Sequence, residues 1–173
     1  MSKNILHPSK YFVKRAIELG AKEAKIISPK QIFTAEWVRR KCQYGCDGYG
    51  LHLTCPPYSP TPQETRRMLN EYETTILIHS PLRWTNISSI VSKLEREAFL
   101  SGYYKAFGMG SGPCELCEKC NLQKVCKHAE QARPSMEACG IDVFSTARAA
   151  GYPIKVVRDH TCPQNYYGLL LLK

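Results

Sequence analysis

The spacing of apolar residues predicts two long amphipathic helices. Apolar side chains recur every three or four residues over 9–19, where Ser9 is a candidate N-cap and Gly20 ends the pattern. The same spacing recurs over 86–101, with an apolar face that extends to Phe99. A helix with one apolar face needs a layer to pack against, so both segments predict a layered, globular fold.

Capping signals predict the remaining helices. Thr61, Pro62 and Glu64 have the order of a capping box with proline in the first turn, which predicts a helix beginning at Thr61. Proline and glycine bound a short predicted helix over 134–140. Asp142 is a candidate N-cap for another helix that ends near Gly151.

Apolar and β-branched runs predict strands between these helices. The runs lie at 24–28, 31–38, 74–79, 154–158 and 166–173. Their order predicts a mixed α/β (α+β) fold with a small mixed sheet and flanking helices. Because the chain has 173 residues, of which 43% are hydrophobic, we expect a single domain over 1–173. Two cysteine-rich loops, 39–60 and 112–128, interrupt the pattern.

The composition bears on compartment and partners. No apolar run approaches the length of a membrane span, and the first twenty residues lack the features of a signal peptide, so we expect a cytoplasmic protein without membrane contact. Nine cysteines in a reducing compartment indicate metal or redox chemistry rather than disulfides. The formal charge of +9 indicates either an acidic partner or metal-bound cysteine thiolates, because the count treats cysteines as neutral.

The loop 112–128 carries the densest cysteine cluster. Its spacing is C-x2-C-x2-C-x5-C, formed by Cys114, Cys117, Cys120 and Cys126. Zinc sites usually separate two C-x2-C pairs by a longer insert, whereas a continuous run followed by a fourth cysteine resembles the ligands of a ferredoxin cluster. The spacing therefore favours a [4Fe-4S] cluster over zinc, although His128 is a candidate ligand in a zinc site.

The loop 39–60 carries a second group that is one ligand short. Cys42, Cys46 and Cys55 lie among glycines and before two prolines. Three cysteines suit a second metal site, either with a distant fourth ligand or with one position open to substrate. The candidate fourth ligands are Cys139, Cys162 and His52, and a buried structural thiol is the favoured interpretation of Cys139.

The block "ARPSMEACGIDVFSTARAAG" contains polar residues at predicted helix ends. We expect Glu137, Asp142 and Arg148 to make caps and buried polar contacts that hold the cysteine loop against the domain. The alternative is a pocket in which Arg133 binds an anion.

The cysteine groups and this block together resemble a known family. The stretches "VRRKCQYGC", "CPPYSPTPQET", "GPCELCEKC" and "ARPSMEACGIDV" are similar to those of the predicted metal-binding proteins classed as domain of unknown function 2284. The resemblance covers nearly the whole chain. It implies a metal-binding, iron–sulfur type of protein, and it assigns no role to individual cysteines.

Three functions follow from these patterns. The favoured one is an iron–sulfur protein with one or two [4Fe-4S] clusters that passes electrons to a redox partner protein or a small-molecule substrate. The second is a zinc-stabilised module that contacts nucleic acid, with Tyr44, Tyr49 and Tyr58 near the basic stretch 39–41. The third is a non-redox enzyme with an open iron position. The chain lacks the Walker A, G-x-G-x-x-G, H-E-x-x-H and G-x-S-x-G motifs, which argues against the enzymes that use them.

Overall fold

The computed structural model describes residues 7–82, 85–123 and 125–173. Residues 1–6, 83, 84 and 124, which belong to the predicted domain and in part to its second cysteine loop, lie outside that description. The α-helices of the described part are α1 (Ser9–Glu18), α2 (Glu36–Gly45), α3 (Pro62–Leu69), α4 (Ile87–Leu100) and α5 (Val143–Ala149). The strands are β1 (Glu23–Ile27), β2 (Thr75–Ser80), β3 (Phe107–Met109) and β4 (Tyr166–Leu171).

The four strands form one sheet in the order β1-β2-β4-β3. The α/β class and the single small sheet are confirmed, but all three pairings are antiparallel where a mixed sheet was expected. β2 is buried along its whole length because it pairs on both edges and is covered on both faces.

The alternation of side chains divides the core into two layers. Ile76 and Leu170 face α1 and α4, whereas Leu77 and Leu169 face the opposite side. Gly168 allows β4 to approach α4, since a Cβ there would lie 2.6 Å from Cγ2 of Ile87. The second layer consists of α3, α5 and the segment around the 3-10 turn Glu137–Cys139, and the cysteine-bearing helix α2 packs on that turn.

The predicted strand 31–38 is wrong. A 3-10 turn, Pro29–Gln31, and the first turn of α2 occupy its ends. Its backbone is bonded to the second layer instead of a sheet edge, because Phe33 N–H donates to Thr146 Oγ1 at 3.1 Å and Phe33 O accepts from Asp142 N–H at 2.8 Å. The local β propensity is therefore overridden by tertiary hydrogen bonds.

The predicted strand 154–158 is also wrong, and its segment is irregular. Val156 and Val157 are exposed, so the apolar run lacks the burial that a strand face would give it. Strand β3 was not predicted; it has only three residues, with a glycine at its centre. The predicted helix 134–140 is shortened to the 3-10 turn Glu137–Cys139, which ends at Gly140 in the left-handed region.

The two long helices differ from their predictions only in detail. Pro8, not Ser9, occupies the N-cap position of α1. Phe99 is 58% exposed although the rest of the predicted apolar face of α4 is buried. Among the described residues, no helix is long and apolar enough to cross a membrane.

Candidate metal centre

Helix α2 places two thiols of the first cysteine group. Cys42 and Cys46 are four positions apart, so their side chains project from one side of the helix end. Cys46 is the C-cap residue and is exposed, whereas Cys55 is buried in the loop that follows. Gly48 lies near the Cys46 side chain, since a Cβ on Gly48 would be in van der Waals contact with the sulfur at 3.6 Å.

Arg39 holds the loop of the first group in its folded form. Its Nη1 donates to the carbonyls of Ser59 at 3.1 Å and Pro60 at 2.9 Å, and its Nη2 donates to Pro57 O at 3.1 Å. Ser59 Oγ in turn donates to Ala138 O at 2.6 Å. The loop is thereby fixed both to α2 and to the 3-10 turn Glu137–Cys139.

All four cysteines of the second group line one small pocket. Cys114, Cys117, Cys120 and Cys126 share its wall with three residues of the first loop, 52–54, and with His128 from their own loop. Leu53 N–H donates to Cys120 Sγ at 3.5 Å, although the two residues are 67 positions apart. His128 N–H donates to Cys126 Sγ at 3.4 Å. The second loop therefore gathers the predicted ligands, and the first loop closes over them.

The two cysteine groups are neighbours in space. Burial is the main cause of the raised pKa of the Cys55 thiol, and the nearby thiols of Cys46, Cys42 and Cys114 add to it. Burial likewise raises the pKa of Cys42 and of Cys114, while a hydrogen bond from Leu116 N–H opposes the rise at Cys114. The seven predicted ligands thus form one continuous thiol-rich region on the second-layer side of the fold.

The donor chemistry of this region fits a thiolate-bound metal group. All nine cysteines are free, and backbone N–H groups of Leu53 and His128 donate to two of the sulfurs. In the described ranges, no three His, Cys, Asp or Glu side chains converge closely enough to hold a single ion as they stand. An iron–sulfur cluster spreads its ligands over several irons and does not require that convergence.

A family model for predicted metal-binding proteins, domain of unknown function 2284, matches residues 25–172. The chain belongs to this family. The matched range contains both cysteine groups, so the expectation of metal binding that the sequence resemblance gave is confirmed at the level of the family. Neither the curated proteins nor the solved structures contain a match to the chain.

The three candidate fourth ligands of the first group lie in different surroundings. Cys139 is fully buried in the core, where burial raises its pKa to about 12. Cys162 lies beside another cavity, together with Arg148 and Arg158, and its sulfur is 3.6 Å from Asp159 Oδ1. His52 lines the pocket of the second group.

A cavity of about 410 Å³ opens beside the first group of the metal-binding protein. Its wall contains Cys42, Cys46 and Glu137 together with two lysines, Lys41 and Lys155. The rest is mostly apolar and aromatic: Trp37, Val38, Ile141, Val143, Phe144, Ile154 and Val157, with Asn165. An apolar wall with a few polar groups is typical of small-molecule sites.

The polar residues of the block 132–151 separate into different roles. Arg133 does not face an anion pocket, because its Nε and Nη2 both lie 2.6 Å from the carboxylate of Glu95 on α4. Asp142 caps α5 by accepting from Ser145 N–H at 3.0 Å, as predicted. Arg148 donates to Ile154 O at 3.5 Å. The place of Glu137 and Trp37 beside the cysteines was not predicted, since it depends on contacts between distant segments.

Proposed function

We propose that the protein binds iron–sulfur clusters and acts in electron transfer. Cys114, Cys117, Cys120 and Cys126 hold one [4Fe-4S] cluster in this proposal. The observation that carries it is the single pocket lined by all four thiols and approached by N–H donors from both loops. Such a cluster is usually held by four cysteine thiolates, and a C-x2-C-x2-C run commonly supplies three of them.

Cys42, Cys46 and Cys55 hold a second metal group in the same proposal. They lie close enough to influence one another, and Cys42 and Cys46 border the cavity from which a reactant reaches them. Free thiols of this number persist in a reducing compartment, so the proposal places the protein in the cytoplasm.

An iron–sulfur cluster supplies one-electron redox chemistry when it is bound. The protein's own contribution is to place N–H dipoles at the sulfurs. The bonds from Leu53 to Cys120 and from His128 to Cys126 stabilise negative charge on those sulfurs. They therefore favour the reduced, more negative state and raise the reduction potential of the centre that the sulfurs ligate.

The cavity beside Cys42 and Cys46 favours a small-molecule substrate over a protein partner as the reactant at the first group. Its volume of about 410 Å³ lies in the range of small-ligand sites. Lys41 and Lys155 would attract a carboxylate or other anionic group on that molecule. The same cavity also suits the third candidate function, a non-redox enzyme in which an iron faces the substrate.

Nucleic-acid binding by a zinc-stabilised module is less well supported. Arg39, the first residue of the basic stretch, is engaged by carbonyls of its own loop instead of being available to phosphates. Tyr44 and Tyr58 are exposed, so stacking with bases is sterically open to them. Steep salt dependence of RNA or DNA binding would favour this alternative.

Metal and acid-labile sulfide analysis of the anaerobically purified protein tests the proposal. We expect iron and sulfide in equal amounts, about four of each per cluster, together with an EPR signal after reduction with dithionite. Cys117→Ser should remove the signal of one cluster, while Cys162→Ser should leave both. A colourless protein that contains zinc and no sulfide would reject the iron–sulfur proposal and favour the zinc module.

A further inference from the structure

The three cysteines of the first group have no fourth cysteine in their own loop. Cys139 is enclosed in the core. Cys162 does not line the cavity beside Cys42 and Cys46; it borders a neighbouring cavity, and the two cavities share Lys155 and Asn165. Metal groups of this type usually have four protein ligands, unless one position is left open for substrate. A fourth donor would have to come from another residue type that already lies beside these thiols.

Glu137 is a residue of this kind. It borders the same cavity as Cys42 and Cys46. Its Oε2 is fully enclosed and has no hydrogen-bond partner in the described part of the chain.

An enclosed carboxylate oxygen without a partner is costly. Burial without compensation costs several kcal/mol, and native proteins rarely retain such a group unless it has a role. The cations nearby do not relieve it: Arg39 is bonded to loop carbonyls, and Lys41 Nζ lies over the ring of Trp37 at 5.6 Å from its centroid. A metal ion beside Cys42 would compensate the negative charge of both the thiolates and the carboxylate.

The backbone holds Glu137 in position. Its 3-10 turn packs against α2 and receives the hydrogen bond from Ser59 Oγ to Ala138 O. The turn ends at Gly140, which has φ +72° and lies against Pro62, where a Cβ would come within 2.4 Å of Cγ. The carboxyl group is therefore fixed relative to the helix that carries Cys42 and is not on a mobile loop.

We infer that Glu137 is the fourth protein ligand of the metal group held by Cys42, Cys46 and Cys55. The inference rests on the proposed function, in which these cysteines bind metal. Glu137 borders the cavity together with Cys42 and Cys46, so a substrate in the cavity can approach this side of the site.

The test compares five purified proteins: wild type, Glu137→Gln, Glu137→Cys, Cys139→Ala and Cys162→Ser. In anaerobically prepared Glu137→Gln we expect about one iron fewer per chain than in wild type, with the EPR signal of a three-iron cluster in the oxidised protein. Glu137→Cys should restore the iron content and remove that signal, because a thiolate replaces the carboxylate. Cys139→Ala should match wild type in both measurements.

The outcomes separate this inference from the proposed function. If wild type contains no iron and no sulfide, both fail. If wild type holds two clusters and Glu137→Gln has the same iron content and EPR spectrum, the ligand assignment is overturned while the function stands. Loss of iron in Cys139→Ala or Cys162→Ser, with a circular dichroism spectrum like that of wild type, would assign the fourth position to that cysteine instead.

Discussion

At the scale of single residues, one largely buried ion pair, Arg133 with Glu95, anchors the end of the second cysteine loop. Arg133 follows the second cysteine group and binds Glu95 with two hydrogen bonds of 2.6 Å, and Glu95 also accepts from Gly108 N–H at 2.8 Å. Both side chains are largely buried, with 16% and 13% exposure. The Glu95 carboxylate raises the pKa of Arg133, which stays charged. The pair therefore joins the exit of the cysteine loop to α4 and β3.

We predict that Arg133→Ala lowers the free energy of unfolding by about 3 kcal/mol, because Glu95 is left buried without its counter-charge. Urea denaturation of the purified protein measures the loss. The control is Arg15→Ala, which removes a comparable contact with Glu97 that is about twice as exposed, and its effect should be clearly smaller. Equal losses in the two variants would contradict the role given to burial.

Residue-level sequence signals were reliable where the interaction is local. The capping box at Thr61 and Glu64 and the cap at Asp142 are as predicted, because cap and partner lie within three positions. The fourth ligand of the first group could not be predicted in this way. Glu137 becomes a candidate only through its approach to α2, and no periodicity in the sequence encodes that approach.

At the scale of elements, the second layer is built from short helices whose ends are fixed by caps. Helix α3 has eight residues and begins with a reciprocal cap, in which Thr61 accepts from Glu64 N–H and Glu64 accepts from Thr61 N–H. Thr65 on the same helix donates to Cys139 O at 2.7 Å. The start of α3 thus positions the turn that carries Glu137.

Thr61→Ala should destabilise the protein by about 1 kcal/mol, since the first turn of α3 loses a side-chain acceptor. Thr61→Ser, which keeps the hydroxyl group, should retain most of the stability. Thermal unfolding followed by circular dichroism measures both variants. If serine and alanine are equally destabilising, the methyl group and not the cap is what matters at this position.

Element types were predicted well where apolar residues are buried with a regular period, as in α1, α4, β2 and β4. The predictions for 31–38 and 154–158 failed for different reasons. In 31–38 the backbone is hydrogen-bonded to Thr146 and Asp142. The segment therefore does not join the sheet, despite its β propensity. In 154–158 the valines remain exposed beside a cavity. Neither circumstance is visible in local composition.

At the scale of the whole molecule, the cores and the candidate metal ligands are largely separate. Both hydrophobic clusters are centred on the sheet, and the seven predicted ligands lie outside them. The fold therefore has apolar contacts of its own that do not depend on metal, unlike a zinc finger that is unfolded without its ion.

Removing metal with a chelator under anaerobic conditions should leave most of the far-ultraviolet circular dichroism intact. Amide hydrogen exchange should become faster in residues 46–60 and 112–132, while β2, β4 and α4 stay protected. Hydrogen exchange with mass spectrometry of the metal-bound and metal-free protein provides the comparison. Global loss of protection on chelation would mean that the sheet itself depends on the metal.

One short stretch of backbone, residues 52–54, borders the pocket of the second cysteine group and leads directly into Cys55 of the first. Filling the second group would immobilise this stretch and so remove part of the entropy that Cys55 must lose on binding. The two centres should accordingly fill with positive cooperativity. At limiting iron supply, chains would be either doubly loaded or empty, with few intermediates between them.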